Sequence, residues 1–171
     1  MKTRTQYKYW LTLMVITVCS LTAISQTQNS IALTGRTTTS FNLSNITQPG
    51  GQSTSIIDDT QWINYSVKSN SSEPFYAISV SVASGSIPPG VSLFIMAGED
   101  AGGGFGRAGR PTGNVQVGYT PVAIINEIGN SNTGSGKNKG HKITLSIIIT
   151  DFTQLQSADY NLNIIYTLQY Q

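Results

Sequence analysis

The strongest constraint on the fold of this chain is an unbroken two-residue alternation from Tyr160 to Tyr170. Tyr160, Leu162, Ile164, Tyr166, Leu168 and Tyr170 fall on one face of a strand, because successive side chains point to opposite sides. Asn161, Asn163, Ile165, Thr167 and Gln169 make the other face, polar except for Ile165. Only Gln171 follows. A strand so placed is expected to be free to pair along an exposed edge, the way many secreted β-proteins meet a partner.

The rest of the sequence agrees with a β architecture. After residue 25 it is rich in Ser, Thr, Asn, Gly, Val and Ile, in short alternating runs broken by Gly and Pro. Strands are expected at Ile31–Leu33, Thr38–Leu43, Trp62–Val67, Tyr76–Val82, Val91–Met96, Asn114–Val117, Val122–Ile125, Lys142–Thr150 and Tyr160–Tyr170. Turn signals separate them at Gln48–Gly51, Gly85–Gly90, Arg110–Gly113 and Thr133–Gly136. Eight or nine short strands without a long helical segment predict an all-β fold, an immunoglobulin-like two-sheet β-sandwich, with a closed barrel as the runner-up. The inward sets are Ile63, Tyr65, Val67; Tyr76, Ile78, Val80, Val82; Leu93, Ile95; and Ile143, Leu145, Ile147, Ile149. The Gly-rich stretch Gly98–Gly113 interrupts the strand pattern longest and reads as a surface connector.

Residues 1–25 carry the marks of a cleaved signal peptide. Lys2, Arg4 and Lys8 make a basic start, Leu11 to Leu21 an apolar run, and Ala23-Ile24-Ser25 a small-x-small cleavage site. The apolar run is too short for a spanning helix, which needs about 20 residues. Lipid attachment at Cys19 would need a small residue before it, and Val18 is not small. The expected product, residues 26–171, is a single domain without a membrane span, secreted or in transit through a periplasm to the cell surface. It has no cysteine, so packing and sheet hydrogen bonds alone must hold it. With the three basic residues gone, seven Lys and Arg face eight Asp and Glu. No basic patch remains to favour nucleic acid.

Motifs of catalysis do not assemble. Gly104-Phe-Gly106-Arg-Ala-Gly109 spells a dinucleotide fingerprint, but a turn follows where a helix is required. The run Gly129 to Lys137 fails the spacing of a phosphate loop. The one histidine, His141, lies in a Lys- and Gly-rich stretch and is expected at the surface. Asp58-Asp59 and Glu99-Asp100 read as solvated turns without the acidic spacing of a calcium loop. Sequons begin at Asn42, Asn45, Asn64 and Asn70. Trp62 and Tyr65 fall on opposite faces of one strand, with Trp62 expected in the core. Neither an enzyme nor a cofactor or metal site is expected.

The ending Leu168-Gln169-Tyr170-Gln171, and the lead-in Ser157-Ala158-Asp159-Tyr160, resemble the carboxyl end of chaperone–usher pilus subunits. The resemblance implies a structural or adhesive fimbrial subunit that assembles by strand addition, with a periplasmic chaperone and like subunits as partners. It further implies that Tyr160, Leu162, Ile164, Tyr166, Leu168 and Tyr170 contact those partners. Ile31, Leu33 and Gly35 form a possible donor strand. The competing expectation is a monomeric secreted module that binds carbohydrate or calcium, and the two differ in whether the last strand is flanked on both sides.

Overall fold

The computed structural model describes residues 29–40, 56–68, 75–156 and 159–171. The signal peptide, Cys19, Asn42, Asn45, Gln48–Gly51, Asn70, Ser157 and Ala158 lie outside the described residues.

Among the described residues eleven strands follow one another: β1 (Ser30–Thr34), β2 (Ile56–Val67), β3 (Tyr76–Gly85), β4 (Val91–Asp100), β5 (Phe105–Gly106), β6 (Arg110–Pro111), β7 (Asn114–Val117), β8 (Val122–Ile128), β9 (Ser131–Asn132), β10 (His141–Ile149) and β11 (Leu162–Tyr170). The 3-10 turn Phe152–Gln154 is capped by the Asp151 carboxylate. The strands form two antiparallel sheets of an all-β sandwich. The larger runs β5-β9-β2-β10-β4-β7 with β1 also on β2, and the smaller runs β11-β3-β8-β6. Ile63 pairs with both Leu33 and His141, while Ser66 pairs with both Ser30 and Asn132. Thus β1 holds one edge of β2, and β9 and β10 follow each other along the other.

Alternation placed the core correctly. Ile63, Tyr65, Val67, Tyr76, Ile78, Val80, Val82, Leu93, Ile95 and the odd-numbered residues Ile143 to Ile149 are all buried. Fully burying such a side chain is worth about 1.5–3 kcal/mol, which is what drives the two sheets face to face. Ile124, Ile125 and Ile128 of β8 also have no exposure. Two register shifts in the β3–β8 pairing break the alternation there, so a period-two reading does not find them.

Several local expectations are corrected. Residues 38–40 are not a strand. Gly98–Gly113 is no slack connector: its first three residues end β4, and β5 and β6 pair with β9 and β8. A Cβ on Gly106, at φ +88°, would meet the Asn130 carbonyl at 2.1 Å, so that backbone is held close to its neighbour. Arg110-Pro111, expected in a turn, is the edge strand β6. Asp58 and Asp59 lie within β2 rather than a turn. Asp58 is 7% exposed, and it accepts from the Thr39 hydroxyl and from the Thr60 amide and hydroxyl. Glu99 and Asp100 end β4. Trp62 is half-buried and points away from the core set, beside Thr34 and Lys142.

His141 is the largest departure, buried with no exposure. As the first residue of β10 it shares the inward face of Ile143. Its Nδ1–H donates to the Gly98 carbonyl at 2.8 Å. Nε2 lies 2.8 Å from Oη of Tyr65, and that hydroxyl also lies against the Ala108 carbonyl, 3.1 Å from Nε2. A buried imidazole is tolerated when both nitrogens find partners, and here they tie the Gly-rich segment to β2 and β10.

Candidate functional site

Strand β11 forms one edge of the smaller sheet. Its residues from Leu162 to Tyr170 pair antiparallel with β3, from Leu162 opposite Gly85 to Tyr170 opposite Tyr76. Tyr160 precedes the strand, because β3 ends at Gly85 and offers it no partner. Gly85 itself, at φ +90°, has no room for a side chain: a Cβ would meet the Asn161 carbonyl at 1.9 Å.

The apolar set of β11 faces inward as expected. Leu162, Ile164, Tyr166 and Leu168 pack against the core cluster, each half-buried rather than buried. Burial pushes the Tyr166 hydroxyl well above its ordinary range. The outer face is anchored to β3 by side-chain bonds, with Asn163 Nδ2 donating to Ser84 Oγ at 2.6 Å and Gln169 Nε2 to Ser79 Oγ at 3.1 Å.

The end of the strand is docked rather than frayed. Tyr170 is 58% exposed but lies against Tyr76, with ring centroids 4.2 Å apart. The Gln171 amide donates to the Phe75 carbonyl at 2.9 Å, and its side-chain oxygen accepts from the Glu127 amide at 3.0 Å. Glu127 takes a left-handed conformation, φ 58°, and its carboxylate pairs with Arg107 and, at 3.7 Å, Arg110. Arg107 in turn lies over the Phe75 ring, 4.1 Å from its centroid. The Gly-rich segment and the last strand therefore meet at one end of the sandwich.

The Gln171 bond also fixes which backbone groups face outward. Residues of a strand alternate in the side to which their N–H and C=O point. With Gln171 bonded toward β3, so are Gln169, Thr167 and Ile165, whereas Leu168, Tyr166 and Ile164 direct theirs to the other edge. Among the described residues no strand pairs with that edge. Proteins usually blunt such an edge with brevity, charge or proline. Edge strand β6 has two residues with Pro111, and β7 has four. β11 has nine residues without a charge or a proline.

The donor candidates are engaged within the chain: Ile31 pairs with Tyr65 and Leu33 with Ile63, and Gly35 follows β1 at φ 108°. Among the described residues no group of three or more His, Cys, Asp or Glu could hold a metal ion, and no helix is long and apolar enough to cross a membrane. The Asn64 sequon has no free amide: Oδ1 accepts from Thr34 Oγ1 and Gly136 N, and Nδ2 donates to the Lys139 carbonyl. Comparison with protein-family models, curated proteins and solved structures finds no match.

Proposed function

We propose that this chain is an exported structural or adhesive subunit that assembles by taking a partner's strand along the open edge of β11. The observation that carries this reading is the row of N–H and C=O groups of Ile164, Tyr166 and Leu168, directed away from β3 along a long edge lacking charge and proline. In strand addition the main chain supplies affinity and alternate side chains supply register. The half-buried Leu162, Ile164, Tyr166 and Leu168 leave apolar surface that an added strand would cover. The pilus-subunit resemblance names the partners, a periplasmic carrier or a like subunit. Ile31 and Leu33 are bonded to β2 in cis, so β1 as it stands is not the donor strand.

Amide hydrogen exchange tests the proposal residue by residue. In the isolated chain Ile165, Thr167 and Gln169 should be protected while Ile164, Tyr166 and Leu168 exchange fast. Assembly should protect the second set. Assembled material in which Ile164, Tyr166 and Leu168 still exchange fast would overturn the reading, and so would an isolated chain that already protects both sets.

A further inference from the structure

A second surface lies on the outward face of the larger sheet, the face that β1, β2 and β9 turn away from the core. Because Ile63, Tyr65 and Val67 are buried in the core, Asn64 and Ser66 point outward. Pairing then sets Ser30, Ser66 and Asn132 side by side in one row across β1, β2 and β9. The next row, about 7 Å along the strands, holds Ala32 and Asn64. Together with Tyr65, Gly134 and Ser135 these residues line a cleft of about 360 Å³. That is enough for a small molecule, at the lower end of the range for ligand sites.

Three properties of the cleft define what it would hold. Its walls are fixed in advance: the loop after β9 is clamped by Gly136 N and the Lys139 carbonyl on Asn64, and by Gly134 N on Asn132 Oδ1 at 2.7 Å. Hydrogen-bonding groups are left over within it. Among the described residues the hydroxyls of Ser30, Ser66 and Ser135 and the Asn132 Nδ2 have no partner. No charged side chain lines it. An ion would find no counter-charge there, and an apolar ligand would strand the hydroxyls. Hydroxyl groups that both donate and accept are best matched by others of the same kind.

We propose that this cleft binds a short uncharged glycan, held by Ser30, Ser66, Ser135 and Asn132. The site is distinct from the β11 edge, since the cleft is built from β1, β2, β9 and the loop after β9 and shares no residue with β11. The test is a backbone-amide NMR titration of the purified chain with lactose, maltose and chitobiose. Acetate, inorganic phosphate and an uncharged Gly-Ser peptide serve as controls. At least one sugar should give saturable shifts centred on Ser30, Ser66, Asn132, Gly134 and Ser135. Ser66→Ala and Ser30→Ala should each weaken that binding about tenfold, the scale of one lost hydrogen bond, with unchanged melting. No saturable shift with any of the sugars would overturn the site. Shifts centred elsewhere, an equal response to phosphate or peptide, or full binding by both variants would also overturn it.

Discussion

Strands β10 and β11 each have nine residues and each alternate from end to end, yet they lie at different depths. β10 runs between β2 and β4, and its inward residues Ile143, Leu145, Ile147 and Ile149 are 0–8% exposed. β11 has β3 on one side only among the described residues, and Leu162, Ile164, Tyr166 and Leu168 stay half-buried. Alternation thus reports the face on which a side chain lies. Depth is decided by how many neighbours flank the strand, which no single segment of sequence encodes.

The largest expected effect sets the two strands directly against each other. Ile143→Ala should cost about 2–5 kcal/mol, since the side chain has no exposure and the vacated space cannot fill with water at no penalty. Ile164→Ala should cost about 1–2 kcal/mol, because a smaller part of the side chain leaves water on folding. Urea melts of both variants decide the matter. Equal losses would mean that β11 is covered as deeply as β10, and the contrast would fail.

A smaller effect appears at high pH on the flank of β10. Burial, with the Asp100 carboxylate adding to it, pushes the Tyr65 hydroxyl well above its usual range. The unfolded chain ionises this group at about pH 10 while the folded chain keeps it neutral. The unfolded state then binds fewer protons, so stability falls as pH rises past 10, by up to about 1.4 kcal/mol per unit. Tyr65→Phe should flatten that alkaline loss in melts taken across the range. An unchanged slope would show that Tyr65 is ionised in the fold.

The smallest effect belongs to the outer face of β11. Ile165 is 46% exposed opposite Ser81, so Ile165→Lys should change stability by no more than about 0.5 kcal/mol. A loss of several times that size would place this face under cover and sharpen the difference from β10 into one of faces rather than flanks.

Much of the fold was legible in the sequence because period-two alternation is a local signal. It located the core of β2, β3, β4 and β10 and the inward face of β11. Long-range geometry was not legible. β5, β6 and β9 have two residues each and are strands only because a neighbour lies beside them. His141 sits in polar sequence, yet its carbonyl partners Gly98 and Ala108 are 43 and 33 residues away. For the candidate site, the strand and its apolar face were readable. The docking of Tyr170 and Gln171 on Tyr76, Phe75 and Glu127 was not, because it depends on three separate elements. That docking also makes Tyr170 a stability residue, and so a poor probe of partner binding by itself.

The pairing of β11 with β3 also has a consequence in time. Ninety residues separate Gln169 from Ser79, which they must span before their side chains can meet. β8 reaches β3 far sooner, so a growing chain can build the rest of the small sheet while one long flank of β3 waits uncovered. Contacts this distant in sequence form slowly, and an unpaired flank with a buried apolar face is prone to wrong pairings in the interval. During synthesis the exposed edge is therefore that of β3, and β11, on emerging, moves the exposure to itself.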